Sequence, residues 1–135
     1  MPLIVPDLSE LYLMDRLLDS GTDLKLALYE NNETPDQDSV YADFDLATGD
    51  GLDVIKTLSG GWDAAATVSH KAVKAYSAEQ SWTCGASGGT VYGYFIYDDS
   101  GTPRLVWAER FGSVKTLVDT DELKLTPTIT GFSEN

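Results

Sequence analysis

The sequence predicts a mainly β fold, an antiparallel, jelly-roll-like β-sandwich with one N-terminal helix. Three observations lead to this class. One segment near the start has apolar residues at helical spacing, several later runs are short and rich in β-branched or aromatic residues, and turn formers separate those runs. Helical segments do not alternate with the strands, so a doubly wound α/β fold is not expected. A chain of 135 residues favours one domain whose core needs neither a disulfide nor a metal.

The chain starts with an arm that we expect to be extended, residues 1–6, because Pro2 and Pro6 disfavour a helix there. A helix is predicted over residues 7–20, where an Asp-Leu-Ser-Glu start precedes apolar residues at helical spacing. With this helix leading, residues 7–135 are predicted to form a single β-sandwich domain.

The segments after the helix have strand character. Apolar and polar residues alternate over Leu24–Tyr29, which predicts a half-buried strand, and a polar loop follows over residues 30–38. Residues 39–53 leave a short strand and an irregular turn open as alternatives. Further strands are predicted over 54–58, over 65–75 as one strand, over 79–84, and over 123–130, where Pro127 requires an edge or a bulge.

The strongest pattern is a β-hairpin. Two runs rich in aromatic and β-branched residues, Val91–Tyr97 and Arg104–Phe111, flank six turn formers, Asp98-Asp99-Ser100-Gly101-Thr102-Pro103. Both faces of the first run are apolar. Such a strand must be covered on both sides, by a second layer of the same chain or by another chain. The hairpin therefore predicts a sandwich strand or an interface strand.

The charge of the chain excludes some partners. The formal net charge is −13, from 22 acidic and 9 basic residues. Phosphate backbones and anionic lipids are bound by concentrated Lys and Arg, so neither nucleic acid nor a membrane is an expected partner. The apolar start is too short for a signal peptide and no run approaches a membrane span, so we expect a soluble protein that is not secreted by a conventional route.

No constellation in the sequence predicts an enzyme, a cofactor or a metal site. The run Gly85-Ala86-Ser87-Gly88-Gly89 fits the G-x-S-x-G pattern of hydrolases, but a strand follows Ser87 where a helix is required, so a loop between strands is favoured. His70, the only histidine, is expected at the surface or in an interface. Asp36 to Asp53 form an acidic tract without the EF-hand spacing, which favours a solvated loop over a calcium site. Cys84 is expected to be a small buried residue.

The aromatic residues leave one binding alternative. The three tryptophans and seven tyrosines could form the face of a sugar-binding module. For Trp82 and Trp107, burial in the core is the favoured interpretation. Asn32-Glu33-Thr34 fits the glycosylation sequon, but this pattern occurs often by chance.

Several stretches together resemble a known family, the small virion structural proteins of tailed bacteriophages encoded among the head genes. The resembling stretches are Val5-Pro6-Asp7 leading into Leu8–Leu18, Leu24–Pro35, Gly61-Trp62, Val91–Phe95 with Leu105–Phe111, and Asp121–Pro127. The VYGYF and WAERF runs of the hairpin are the most specific of these. Gly51-Leu52 departs from the family pattern, which has an aromatic residue after the glycine.

The resemblance implies a non-enzymatic cement, or decoration, protein on the outer surface of the head shell. On this reading the chain is made in the host cytoplasm, forms a homo-oligomer such as a trimer, and binds the major capsid protein between capsomers. Contacts are expected from Leu3, Ile4 and Val5 of the arm. Two alternatives remain open: a carbohydrate-binding virion module for host attachment, and a structural protein of the tail or neck.

Overall fold

A computed structural model describes residues 7–19 and 24–131 of the chain. The protein is mainly β, and all strand pairs in the described part are antiparallel. In chain order the elements are α1 (Asp7–Asp19), β1 (Leu24–Tyr29), a 3₁₀ turn (Tyr41–Asp43), β2 (Lys56–Thr57), β3 (Ala66–Val68), β4 (Lys71–Ala75), β5 (Gln80–Thr83), β6 (Gly89–Asp98), β7 (Arg104–Leu117), β8 (Glu122–Leu125) and β9 (Thr128–Gly131). The mainly β class predicted from the sequence is confirmed.

The backbone divides into two compact units. The first, here called the helix unit, contains residues 7–19, 59–79 and 126–131 of the described chain. The second, the hairpin unit, contains residues 24–58 and 80–125. Neither unit has, within the described ranges, a helix long and apolar enough to cross a bilayer.

The helix unit is a three-stranded sheet, in the order β3-β4-β9, with α1 packed against β4. Its interior contains Met14 and Leu18 of the helix together with Ala72, Lys74 and Ile129 of the sheet. The predicted helix is confirmed from residue 7 to residue 19. Residue 20 and the predicted arm, residues 1–6, lie outside the described residues.

Two strand predictions in this part of the sequence are wrong in the same way, because each predicted strand is really two. The segment 65–75 folds back at Ser69-His70, where both residues have positive φ, +50° and +61°. Such a two-residue turn favours Asn and Gly, and neither is present to signal it. The segment 123–130 breaks before Pro127, which has no N–H to donate to a ladder. Its halves pair with different strands, β8 with β5 and β9 with β4.

The hairpin unit has a four-stranded sheet in the order β2-β1-β6-β7 and a two-stranded sheet of β5 and β8. The predicted hairpin is confirmed, and both of its strands are longer than expected. Its register is regular except for two shifts. At one shift, residues 111–114 of β7 lie opposite Tyr92 alone; at the other, Val106 has no partner on β6. The single extra residue at Val106 is a bulge, which bends a strand and increases its twist.

Strand β1 is more buried than its alternation indicated. Lys25 is half-buried and the other five residues are buried, so the half-buried prediction is wrong. The face with Ala27 and Tyr29 is covered by aromatic rings from the segment that the sequence left ambiguous: Phe44 lies 5.0 Å from Tyr29, and Tyr41 lies 4.9 Å from Tyr97, centroid to centroid. Residues 39–53 therefore form a 3₁₀ turn and irregular backbone whose rings complete the core. The strand predicted over 54–58 is reduced to β2, and the one predicted over 79–84 is confirmed as β5.

Candidate interaction surface

The contact residues predicted from the resemblance, Leu3, Ile4 and Val5, lie outside the described residues. Their role therefore stays a prediction. The residues considered for chemistry lie in loops and strands of the described chain.

Ser87 lies in a tight turn between β5 and β6. The N–H of Gly88 donates to the carbonyl of Gly85 at 3.0 Å, and Gly88 has φ of +67°, a conformation that favours glycine. A strand follows, so the predicted loop between strands is confirmed and the strand-to-helix elbow of a hydrolase is not formed here. His70 is exposed at the turn between β3 and β4, as predicted.

The acidic tract uses several of its carboxylates to shape its own backbone. The Asp36 carboxylate accepts from the N–H of Asp38 at 2.9 Å and from the hydroxyl of Ser39 at 3.1 Å. The Asp43 carboxylate accepts from the N–H of Val40 at 2.8 Å, at the start of the 3₁₀ turn. Across the described ranges, no three His, Cys, Asp or Glu residues are grouped so that they could hold a metal ion. These carboxylates therefore act as turn formers.

Trp82 and Trp107 differ in how deeply they are buried. Trp82 is 2% exposed, its indole N–H donates to the Val54 carbonyl at 2.7 Å, and the ammonium of Lys56 lies 5.2 Å from its ring centroid, so its predicted core position is confirmed. Trp107 is only half-buried, and its indole N–H has no acceptor in the described part of the chain. Cys84 is buried as predicted, and this burial raises the pKa of its thiol.

A groove runs beside β7, and we call it the β7 groove. One part, of about 420 Å³, lies between loop residues and four consecutive strand residues; its lining is Pro35, Asp36, Gln37, Ser39, Leu105, Val106, Trp107 and Ala108. A second part, of about 260 Å³, shares Ser39 and Leu105 with the first and continues to Val40, Tyr41, Thr102, Pro103 and Arg104. Val106 is bulged, so the alternation of side chains between the two faces is interrupted in this stretch. The groove runs along residues 105–108 of β7, which is the outer strand of its sheet in the described part of the chain.

Arg110 ties the loop wall of the groove to β7. Its guanidinium donates to the Glu33 carbonyl at 2.8 Å and to the Asn32 side-chain oxygen at 2.7 Å, and it lies 5.1 Å from the ring centroid of Tyr92. The hydroxyl of Tyr29 donates to the same Glu33 carbonyl at 3.1 Å, and burial raises the pKa of Tyr29 to about 12. The loop is thus held by two charge-assisted hydrogen bonds of a guanidinium that also contacts an aromatic ring, a combination that lysine could not reproduce.

The most specific part of the resemblance has a clear structural use. In the VYGYF and WAERF runs, Tyr94 donates its hydroxyl to the Glu109 carboxylate at 2.8 Å, while Tyr92 carries the Arg110 guanidinium on its ring. Gly93 is required because a Cβ there would collide with the Glu109 carbonyl and the Tyr29 ring. Sequence reasoning missed this network, although the paired Glu and Arg beside tyrosines opposite them in the hairpin were a usable signal.

The helix unit contains an ion pair with one buried partner, which sequence reasoning also missed. Lys74 is 1% exposed, and its ammonium donates to the Asp15 carboxylate at 2.6 Å and to the Asp63 carbonyl at 2.7 Å. The same carboxylate accepts from the Ala65 N–H at 3.0 Å. The Lys74 hydrogen bond lowers the pKa of Asp15, against the opposing effect of burial. The pair links α1 to β4 and is a structural contact.

The chain was compared with protein-family models, with curated proteins and with solved structures. No family model, curated protein or solved structure matches it.

Proposed function

We propose that this chain is a bacteriophage capsid cement, or decoration, protein that binds the outer surface of the head shell and stabilises the contacts between capsomers. The observation that carries the proposal is the resemblance of the VYGYF and WAERF runs to small head proteins of tailed phages. In this role the protein forms a homo-oligomer and its partner is the major capsid protein. It acts by mass action, since it binds the assembled lattice and not dispersed subunits.

The charge and the surface support this role. A net charge of −13 is repelled by packaged DNA, which suits a position on the outside of a head. Exposed apolar side chains, which a binding protein buries against its partner, occur in both units; they include Tyr12, Leu13, Val40, Val54, Ile55, Val68, Val114 and Val118.

A jelly-roll-like sandwich remains part of the proposal. It is supported by the antiparallel pairing of the described strands and by the burial of both faces of β6, with Phe95 and Tyr97 on one face and Tyr94 and Ile96 on the other.

The function is tested with phage heads assembled without this chain. Purified protein is titrated onto the heads, its occupancy is measured by gel densitometry, and the melting of the heads is followed by light scattering. We expect saturable occupancy and a higher melting temperature. Absence of binding to heads, or binding with unchanged head stability, would contradict the proposal.

The same titration tests the arm. Deletion of residues 1–6, which removes Leu3, Ile4 and Val5, is expected to lower occupancy at a fixed protein concentration. The variant Ser87→Ala, which changes an exposed residue in a turn, is the control and is expected to bind like the parent protein. Equal occupancy of the deleted and the parent protein would remove the arm from the mechanism.

The two alternatives predict other results. A carbohydrate-binding module would give saturable binding on a glycan array, and the half-buried Trp107 in the β7 groove is the aromatic residue that favours this reading. A tail or neck protein would be found away from the shell when labelled in intact particles.

A further inference from the structure

We propose that the β7 groove binds an extended, basic segment of a partner protein, which adds to the open edge of β7 as a further strand. The inference rests on the proposed function for the identity of the partner, the shell subunit. The groove itself indicates the chemistry of the segment that it binds.

Strand β7 has an open edge in the described part of the chain. Among the described residues, β7 pairs with β6 on one side and with no strand on the other. No backbone hydrogen bond within the described ranges joins residues 104–117 to any segment other than β6. An edge strand turns alternate N–H and C=O groups away from the sheet, and such groups are a template for another strand. Val106, which has no partner on β6, lies in the middle of the groove wall.

The shape of the β7 groove suits an extended peptide. The groove has the strand edge as one wall and Pro35, Asp36, Gln37 and Ser39 as the other. Arg110 and Tyr29 hold that loop through the Glu33 carbonyl, so the loop wall is already in place before a ligand arrives. A preorganised groove lowers the entropy cost of binding. An extended peptide satisfies the strand backbone along one side and places its side chains against the walls, which is the mode of β-strand addition.

The charge of the loop wall favours a basic occupant. Asp36 lies in the groove wall and Asp38 is exposed in the same loop. Arg104, the basic residue that lines the groove in the described chain, lies within electrostatic range of Asp98, which offsets its charge. At this acidic wall a basic segment is attracted more strongly than a segment of a second copy, whose net charge is also −13. The occupant that fits is therefore an extended segment with Lys or Arg.

The test uses the full chain and fluorescein-labelled peptide libraries in fluorescence anisotropy. Each library contains eight-residue peptides with one residue type fixed at alternate positions and the others randomised, and the fixed residue is Lys in one library and Glu in the other. We expect the Lys library to bind at least about tenfold more tightly than the Glu library. Methylation of every backbone nitrogen of the Lys peptides should abolish binding, because it removes the strand hydrogen bonds and keeps the charge.

Two protein variants sharpen the result. Asp36→Asn removes the wall charge but keeps the side-chain oxygen that accepts from Asp38 and Ser39, and it should weaken Lys-library binding about two- to fivefold. Asp53→Asn is the matched control, since it is an exposed aspartate of the same unit outside the groove lining, and it should bind normally. Equal effects of the two variants would mean that only the overall charge attracts the peptides, and the proposal would fall.

Other outcomes also overturn the inference: no saturable binding up to about 1 mM, binding that survives nitrogen methylation, or displacement of the peptides by soluble oligosaccharides. Protection of the β7 amides from hydrogen exchange that increases with protein concentration, in the absence of peptide, would indicate that β7 pairs with a second copy of the chain. Binding to heads without peptide binding would defeat this inference and leave the proposed function standing. Peptide binding without binding to heads would contradict the proposed function and leave this inference standing.

Discussion

Asp15→Ala should destabilise the protein more than Lys74→Met, although the two changes break the same ion pair. The partners differ in burial: the Lys74 side chain is fully buried, whereas 42% of the Asp15 side chain is exposed. Removal of Asp15 leaves an ammonium group in a buried site without the carboxylate that lies 2.6 Å from it. Removal of Lys74 leaves a carboxylate that water already reaches.

The magnitudes follow from this difference. Loss of one partner from a buried pair costs about 3–5 kcal/mol, and the exposure of Asp15 places Asp15→Ala at the lower end, about 3 kcal/mol. Lys74→Met replaces the charge with an apolar side chain of similar length. The Asp63 carbonyl then loses a donor, which costs about 1 kcal/mol. The expected difference between the two variants is about 2 kcal/mol.

The assay is urea unfolding followed by circular dichroism and by tryptophan fluorescence, to which Trp62 of the helix unit contributes. Arg16→Ala, at an exposed position next to Asp15 on α1, is the control and should stay within about 0.5 kcal/mol of the parent. Equal losses for Asp15→Ala and Lys74→Met, or a larger loss for Lys74→Met, would refute the argument from unequal burial.

Three further predictions concern the core and the pH dependence. Gly93→Ala should lower the free energy of unfolding by about 1–3 kcal/mol, because the added Cβ collides with the β7 backbone. Gly101→Ala should leave the melting temperature unchanged, because no atom of the described residues lies within 4 Å of the added Cβ. Similar melting temperatures of the two variants would contradict this prediction. Trp82→Phe should lower the free energy of unfolding in urea by about 1–2 kcal/mol through loss of its indole hydrogen bond, and an unchanged midpoint would count against that bond. The pKa of Asp15 in the folded chain is lowered from 3.8, so its ion pair stabilises the protein fully above pH 3.8 and loses this effect as the pH falls through the lowered pKa. Urea midpoints measured from about pH 5 to pH 2 should therefore decline less steeply for Lys74→Met than for the parent. Parallel declines would show that the Asp15 ion pair does not cause the pH dependence.

Local patterns predicted those parts of the fold that local interactions decide. The β6 and β7 hairpin was predictable because its turn residues and its two apolar runs are adjacent in sequence. The β3 and β4 hairpin was missed because Ser69-His70 adopts positive φ without the glycine or asparagine that signals such a turn. Residues 39–53 could not be assigned because their conformation depends on rings, such as that of Phe44, that pack on strands far away in the sequence.

The β7 groove was not predictable from the sequence. Its walls come from residues 35–39 and 105–108, about 70 positions apart, and the contact that joins the loop to the strand links Arg110 to Glu33. Neither residue stands out in its own segment. The acidic tract was visible, but only the folded chain places Asp36 beside an open strand edge.

By itself, the sequence determined the mainly β class, the leading helix, the central hairpin and the acidic character of the surface, because periodicity, turn chemistry and charge are properties of short segments. The tertiary structure decided which faces are covered, where residues 123–130 divide, that Lys74 is buried, and that a groove follows β7. These features depend on contacts between residues far apart in the chain, and the free energy of burial is settled only when those residues meet.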